Sequence, residues 1–369
     1  MTPQQLEIQL IAAVTAAACA LVGAFLVLRR AAMLSDAISH AILPGIVVAF
    51  FVTENLASPL LLLAAAATGV VSVALIEALG NTRLVKGDAA IGLVFPALFS
   101  VGVILIARYA SGVHLDTDAV LLGDPAFAWI ERFAVGGRDL GPQALWTMGA
   151  ILVAVLAFVG LFYKELKLAT FDAALAAALG FAPKALHYAL MSLVSVTAVG
   201  AFDVVGSILV VALMVAPAAA AYLLTDRLPW LLGLSVLLGV LAAVSGYWLA
   251  HVLDASIAGA MATMAGVLFA AAFLFAPERG LVAQARRRAN QRRAFARRML
   301  LVHLLHHEHT PEAERECRVA HLQEHLRWAP DFAEAAVRYA ERTGAVRRAG
   351  DRLALTPAGR TAAQEAMVE

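Results

Sequence analysis

Two side chains in the first apolar part of the chain are of types that bind metal ions. Asp36 and His40 lie four residues apart. On a helix this spacing places both side chains on one face, one turn apart. A carboxylate and an imidazole together suit manganese, iron or zinc better than calcium. The pattern predicts a site for a divalent transition metal. The alternative is that the two side chains only pair with each other or cap a helix.

The segment that must position this pair is apolar and interrupted. Residues 36–53 contain Pro44 and Gly45 within an otherwise hydrophobic run. Ionisable groups in a membrane segment are costly and usually face a pathway or a cavity. Broken helices beside such groups often form substrate sites within the membrane. We therefore expect Asp36 and His40 to line an ion pathway.

Composition excludes a wholly soluble protein. The chain is 62% hydrophobic and 15% charged, whereas soluble domains are about one quarter charged. Residues 1–277 hold 11 Lys+Arg and 15 Asp+Glu, and residues 278–369 hold 17 Arg and 12 Asp+Glu. This distribution predicts a membrane domain over 1–277, a basic juxtamembrane linker over 278–298 and a soluble domain over 299–369. Cys19 and Cys317 lie in separate regions, so no disulfide framework is indicated.

Apolar runs long enough to cross a bilayer recur along the membrane domain. Two of them are short or interrupted, so the sequence predicts eight or nine transmembrane helices in an all-α polytopic fold. The first run has no clear cleavage site and is expected to be a retained span. The runs cover residues 8–28, 36–53, 58–79, 89–108, 144–163, 186–201, 204–224, 229–250 and 256–276.

Basic residues set the orientation, because cytoplasmic loops of membrane proteins carry an excess of Lys and Arg. Five basic segments fall on one side if the N-terminus is outside. We therefore expect a multi-pass protein of the inner (plasma) membrane with residues 109–143 outside and the tail in the cytoplasm. The five segments are Arg29-Arg30, Arg83 with Lys86, Lys164 with Lys167 and Lys184, Arg227, and the run from Arg286 to Arg298.

A short cytoplasmic helix is predicted between two spans, over residues 171–184. Asp172 can cap its start, Gly180 can end it, and Pro183 blocks its continuation. Small side chains would allow a separate subunit to dock closely; the alternative is an ordinary interfacial helix. The chain has no Gly-x-x-x-x-Gly-Lys-Ser/Thr motif. It is therefore predicted not to be an enzyme, and any ATP hydrolysis must occur on another polypeptide.

Three ordered segments carry a family resemblance: residues 35–45, 171–183 and 202–221. Together they resemble the membrane permeases of the ABC-3 family, which import manganese, zinc or iron. The resemblance covers essentially all of residues 1–277. The Phe202-Asp203 pair is closer to the manganese and iron branch than to the zinc permeases. A tail of about ninety residues departs from the typical member, which nearly stops after the last span.

The resemblance implies the permease subunit of an ATP-driven importer of divalent transition metal ions, with Mn²⁺ or Fe²⁺ favoured and Zn²⁺ possible. It implies a second permease copy or paralogue, an ABC ATPase dimer that binds the ATP, and an extracytoplasmic metal-binding protein. No cofactor beyond the transported ion is implied for this chain. Asp36 and His40 would be the ion ligands. The coupling helix would be formed by Leu175, Ala177, Leu179 and Gly180.

Two further groups in the membrane domain are candidate ligands. His114, Asp116 and Asp118 alternate along an outer segment, so an extended strand would place them on one face. They would receive ions from a delivery protein, or they are ordinary solvated loop residues. Asp203 lies between two apolar runs and would either line the pathway or cap a helix that begins at Val204.

The tail reads as a small winged helix-turn-helix. Helices are predicted at 290–307 and 311–326, and a third helix capped by Asp331 runs to Thr343. Two strands then flank Gly350-Asp351, and a last helix follows Thr356-Pro357. Residues 295–366 resemble the DNA-binding domain of iron- and manganese-dependent repressors. Beside a membrane we expect such a module to dock protein rather than nucleic acid.

Arginines and histidines give the tail two further features. Seven arginines between Arg286 and Arg298 have no acidic residue among them and are expected to contact anionic lipid headgroups. Cys317, His321 and His325 are spaced four apart, so one helix face could hold a soft divalent ion. Ordinary packing and surface positions are the alternative.

Two other functions are compatible with the same residues. One is a secondary metal transporter that is driven by an ion gradient. The other is a membrane-bound, metal-responsive regulator in which the winged helix binds DNA and the spans only sense. A partner ATPase would argue against the first, and uptake without any effect on transcription would argue against the second.

Overall fold

Apolar runs in a membrane fold as helices because every backbone N–H and C=O must be bonded within the protein. The structure is a computed structural model that describes residues 2–54, 59–82, 84–109, 123–135 and 138–368. It divides into two units, Met1–Gly280 and Leu281–Glu369. Each unit has its own cluster of buried hydrophobic residues.

The described part of the first unit is helical apart from one small hairpin and short connecting turns. Among the described residues, nine helical segments are long and apolar enough to cross a membrane, and α2 and α3 together form one of them. This number agrees with nine, the larger of the two numbers of transmembrane helices that the sequence predicts. The elements are α1 (Pro3–Leu28), α2 (Met33–Ala41), α3 (Leu43–Thr53), α4 (Pro59–Asn81), α5 (Gly87–Tyr109), β1 (Arg132–Val135), β2 (Arg138–Pro142), α6 (Gln143–Leu161), α7 (Tyr163–Phe171), α8 (Ala173–Ala178), α9 (Pro183–Val205), α10 (Ser207–Leu224), α11 (Leu228–Leu253) and α12 (Ile257–Phe275).

The second crossing is broken near its middle. Helix α2 ends at Ala41 and α3 begins at Leu43, with Ile42 between them. Pro44 lies in the first turn of α3, where its missing N–H removes no helical hydrogen bond. The interruption that the Pro44-Gly45 pair indicates is therefore present. It separates the segment that carries Asp36 and His40 from the rest of the crossing.

Gly45 allows α3 to pack closely against α4. A Cβ atom at this position would lie 2.1 Å from the Thr68 hydroxyl oxygen and 2.6 Å from the Ala64 carbonyl oxygen. Small residues at helix contacts let backbones approach in membranes, where packing rather than hydrophobic burial drives association. The break after α2 is thus supported by a close α3–α4 contact.

Two crossings meet almost without a loop at Gly206. Helix α9 runs to Val205 and α10 begins at Ser207, while Gly206 adopts φ +79° between them. Asp203 lies inside the last turn of α9. The alternative in which Asp203 caps a helix beginning at Val204 is wrong, because α9 continues past Asp203 and Gly206 occupies the cap position of α10.

The segment predicted to lie outside contains a short hairpin. Strands β1 and β2 pair antiparallel, and Arg132 bridges Glu7 at 3.2 Å and Asp139 at 2.5 Å. The Gly141 backbone N–H and the Arg132 guanidinium hold the pKa of the Asp139 carboxyl below its usual range. These contacts attach the hairpin to the start of α1.

The second unit follows the predicted order of three helical regions, a hairpin and a final helix. Strands β3 and β4 pair in register, and Arg318 adds an isolated bridge to Arg352. The winged-helix assignment itself stays a prediction. The elements are α13 (Leu281–His307), α14 (Ala313–Glu316), α15 (Val319–His325), α16 (Pro330–Arg342), β3 (Val346–Ala349), β4 (Arg352–Leu355) and α17 (Pro357–Val368).

Three details of the tail differ from the sequence expectation. The basic segment predicted as a linker over 278–298 is mostly part of α13, since its Arg, Ala and Gln residues are good helix formers. The helix predicted over 311–326 is two helices, because Arg318 takes an extended conformation and joins the sheet. Asp331 lies in the first turn of α16, and Ala329 occupies the cap position.

We expect Gly45→Ala to destabilise the membrane unit. The added methyl would collide with the Ala64 backbone, and overpacking of this kind costs about 1–3 kcal/mol. The measurement is the thermal unfolding midpoint of the purified chain in detergent. Gly92→Ala is the matched control, because it lies in helix α5 with open space around the new methyl group. An equal midpoint for both variants would contradict the close α3–α4 contact.

Candidate metal site and subunit-docking helix

Asp36 and His40 share one face of α2, as their spacing predicts. His40 Nε2 lies 3.6 Å from Asp36 Oδ1, and the two side chains are 36% and 42% exposed, respectively. This separation is too long for a hydrogen bond. Two donor atoms bound to one ion at about 2.1 Å are separated by roughly 3–4 Å. The geometry therefore permits both a weak ion pair and a shared metal ion.

The surroundings leave one side of the pair open. The His40 ring centroid lies 5.9 Å from that of Phe95 and 6.4 Å from that of Phe99, both on α5. The Ser39 hydroxyl donates to the Ser35 carbonyl at 2.6 Å, so its hydrogen bond is made within α2. Among the described residues, no third carboxylate, thiol or imidazole forms a three-ligand group with the pair. Water or another chain would have to complete the coordination of an ion.

The other membrane candidates are not brought to this pair. Asp203 is exposed near the end of α9. A Cβ atom at Gly123, in the outer segment, would lie 2.1 Å from the Phe202 carbonyl oxygen and 2.7 Å from that of Asp203. Gly123 therefore packs beside Asp203. His114, Asp116 and Asp118 lie outside the described residues.

The predicted cytoplasmic helix is present as α8. The Asp172 carboxylate accepts from the Leu175 N–H at 2.9 Å, which caps the helix start. Gly180 adopts φ +86°, and the Phe181 N–H donates to the Ala176 carbonyl at 3.1 Å. This arrangement is a Schellman ending, in which glycine avoids the strain of the left-handed region.

The exposed face of this helix is apolar. Leu175 within α8 and Leu179 at its C-cap are four residues apart and form an exposed apolar stripe, with Leu179 exposed to 61%. Phe171 is also exposed, but it is the last residue of α7, and Asp172 between the two helices is not helical. Only Ala176 within α8 is buried. An exposed apolar stripe of this kind indicates a contact surface rather than isolated surface residues. It fits a docked subunit, and it also fits the headgroup region of a membrane.

Comparison with known proteins gives the chain a family. A family model described as the ABC 3 transport family matches residues 4–276. The chain belongs to this family. It is 49% identical over 363 residues to the Zinc transport system membrane protein TroD of Treponema pallidum, which covers 97% of this chain and 98% of that protein. The uncovered share is too small to hold either unit, so the similarity to TroD includes most of the tail.

Two further similarities concern about three quarters of the ABC 3 chain. It is 47% identical over 275 residues to the Manganese transport system membrane protein MntD of Bacillus subtilis, covering 74% of this chain and 93% of that protein. A solved structure, PsaBC from Streptococcus pneumoniae in complex with Fab, aligns with a TM-score of 0.63 and 28% identity. That alignment covers 76% of this chain and 94% of the other.

The three ligands predicted in the tail of this ABC 3 protein do not lie on one helix face. Cys317, His321 and His325 do not share one helix, because α14 ends at Glu316 and α15 begins at Val319. Cys317 is part of the buried apolar cluster, and burial raises the pKa of its thiol. His321 instead contacts Glu316. The side chain of His325 lies outside the described residues.

Sequence reasoning missed a polar network that joins four helices of the ABC 3 chain. Arg29, directly after α1, donates to the Thr170 hydroxyl at 3.2 Å and contacts His187 Nδ1 at 3.0 Å. His187 Nε2 contacts the Glu77 carboxylate of α4. Because a guanidinium only donates, His187 must accept at Nδ1, and its neutral form then carries its proton at Nε2. The histidine thus connects a cation to a carboxylate.

This network lies next to α8 in the chain. Thr170 precedes α8 by three residues, and His187 is near the start of α9, which follows α8. Glu77 and His187 are ionisable residues inside predicted spans, and this position alone marks each of them as a candidate functional residue. Their partnership was not visible, because Arg29 and His187 are 158 residues apart.

We expect Arg29→Gln and Glu77→Gln each to lower stability by about 1–3 kcal/mol, because each leaves a partly buried polar partner unmatched. The double variant should cost less than the sum, since both residues act through His187. The thermal midpoint of the four proteins in detergent measures this coupling. Glu54→Gln is the control, because Glu54 is exposed at the end of α3. Strict additivity would show that the network does not act as a unit.

Proposed function

We propose that this ABC 3 protein is the membrane-spanning permease subunit of an ATP-driven importer of divalent transition metal ions. The observation that carries the proposal is the pair Asp36 and His40, placed on one face of a broken crossing and left partly open. Family membership supports transport. The donor types support a first-row metal as cargo.

The pair admits manganese, iron and zinc, and we favour Mn²⁺ or Fe²⁺. An oxygen and a nitrogen donor without a thiolate leave room for several oxygen ligands, which manganese accepts readily. The names of the two relatives differ in the metal: TroD is named for zinc and MntD for manganese. Uptake measured with each ion alone decides between them.

ATP binding and hydrolysis are proposed to occur on a separate ATPase dimer. The apolar stripe of Leu175 and Leu179 would receive one ATPase subunit, beside the exposed Phe171 at the end of α7. Movement of α8 would then reach α1 and α4 through Arg29, His187 and Glu77. Helix α4 packs against α3 at Gly45, immediately after the segment that holds the ion pair. The described contacts therefore provide a continuous connection from the stripe to the broken crossing.

Further partners complete the proposed importer. A second permease copy or paralogue would supply the remaining half of the pathway, and an extracytoplasmic metal-binding protein would deliver the ion. The plasma membrane is the proposed location, with the tail in the cytoplasm according to the distribution of basic residues. Lipid headgroups would contact the arginines of α13.

Asp36→Ala and His40→Ala are each expected to reduce metal uptake to background while the protein still reaches the membrane. Each change removes one of two donors from a site that has few. Uptake of Mn²⁺, Fe²⁺ and Zn²⁺ is measured in vesicles that contain the chain, with and without its partner ATPase. Asp88→Ala and His309→Ala serve as controls, because both residues are exposed and lie outside the pair.

The same vesicles separate the competing functions. ATP-dependent uptake that requires the ATPase supports the importer. Uptake without ATPase, driven by an ion gradient, would identify a secondary transporter instead. Full uptake by Asp36→Ala or His40→Ala at matched expression would remove the pair from the mechanism.

The docking proposal is tested by the double variant Leu175→Glu with Leu179→Glu. Two charges on the stripe should prevent an apolar contact, so the amount of ATPase that copurifies should fall at least about tenfold, which corresponds to 1.4 kcal/mol. Leu84→Glu is the control, since Leu84 is an exposed apolar residue between α4 and α5. Normal capture of the ATPase by the double variant would show that α8 only contacts lipid.

A further inference from the structure

A second group of metal-ligating side chains lies in the unit Leu281–Glu369. His303 and His307 are one turn apart on α13, Glu316 is the last residue of α14, and His321 lies on α15. Three helices that are separate along the chain thus bring three imidazoles and a carboxylate together. This group is distinct from Asp36 and His40, and it is not the set that the sequence indicates.

The distances within the group suit a single small ion. One donor atom from each of His303, His307 and Glu316 lies within 4.8 Å of the other two. In a tetrahedral zinc site with ligands at about 2.1 Å, donor atoms are roughly 3.4 Å apart. A modest side-chain rotation therefore closes the group around an ion. The ring centroids of the two histidines are already 4.8 Å apart.

Burial distinguishes this group from a surface cluster. His303 is 7% exposed and Glu316 is 9% exposed. A carboxylate is rarely buried unless it is paired or coordinates a metal. Glu316 is the only acidic residue of the described chain that is classed among its buried polar residues. Its immediate neighbours are imidazoles, which bind transition metals in their neutral form.

Backbone and side-chain contacts orient two of the ligands. His303 Nε2 lies 3.0 Å from the Glu316 carbonyl oxygen. A carbonyl only accepts, so a neutral His303 donates from Nε2 and keeps a lone pair on Nδ1. His321 Nε2 lies 2.6 Å from Glu316 Oε2. Metal-binding histidines commonly donate their second N–H to a backbone carbonyl, and metal-binding carboxylates are commonly hydrogen-bonded in turn.

We propose that His303, His307 and Glu316 bind one divalent transition metal ion, with Zn²⁺ favoured, and that His321 positions the Glu316 carboxylate. Two histidines and one glutamate are a known three-ligand set for zinc, with the fourth position open. The site is separate from the transport pair, and this inference does not rest on the proposed function.

Binding would hold α13 to α14. The ion would join residues 303 and 307 to residue 316 across the turn that separates the two helices. A ligand that binds only the folded form stabilises it by mass action, by about 2.7 kcal/mol at one hundred times its Kd. Occupancy should therefore protect this part of the tail against proteolysis.

The test uses the full-length chain in detergent, stripped of metal by a chelator. All proteins carry Asp36→Ala and His40→Ala, so that the transport pair contributes no binding. Zn²⁺ is added in competition with a chromophoric chelator, which gives both affinity and stoichiometry. Glu316→Gln and His307→Gln are compared with His309→Gln. His309 is an exposed histidine of the same region and is not part of the group.

We expect the parent and the His309→Gln protein each to bind one Zn²⁺ per chain. The Glu316→Gln and His307→Gln proteins should bind this ion about 100-fold more weakly. Zn²⁺ should also slow tryptic cleavage between residues 281 and 369 in the parent and the control only. Equal affinity in all four proteins would overturn the proposal. If Glu316→Gln is cleaved rapidly without metal, His307→Gln decides, because His307 is only partly buried.

Discussion

Gly45 brings the backbone of α3 against α4, and the geometry of the candidate ion pair depends on this contact. Helix α2 is short and ends at Ala41, so its own hydrogen bonds cannot fix the direction in which Asp36 and His40 point. The following helix must be held in place for the break to be stable. Packing without space for even one methyl group supplies that restraint. The broken crossing is thereby held in one arrangement.

The polar groups of the membrane unit fall into two kinds: side chains that connect helices, and the pair proposed to bind the ion. Arg29 contacts His187, and His187 contacts Glu77, so these side chains connect α1, α9 and α4. Asp36 and His40 stand 3.6 Å apart and remain partly exposed. An ion at the proposed site would therefore replace a weak interaction with two coordination bonds.

The tail adds a different use of the same ligand chemistry. Glu316 is buried among histidines from α13 and α15, whereas Asp36 and His40 face an open side. A closed group fits an ion that stays, and an open pair fits an ion that passes. Similarity to TroD extends over most of this unit, while its winged-helix assignment remains a prediction from the order of its elements.

The sequence by itself determined the membrane unit, the face shared by Asp36 and His40, and helix α8 with its Asp172 cap and Gly180 ending, and it limited the crossings to eight or nine. These features depend on hydropathy and on contacts within about four residues, which periodicity and capping rules describe. Tertiary structure alone decided that Arg29 meets His187, that Asp203 lies inside α9, and that Glu316 joins His303 and His307. Those outcomes depend on which helices pack together, and in the tail on Arg318 joining the sheet and dividing one predicted helix into two. Contacts between segments that are far apart along the chain do not follow from local residue spacing, so capping and periodicity rules do not predict them.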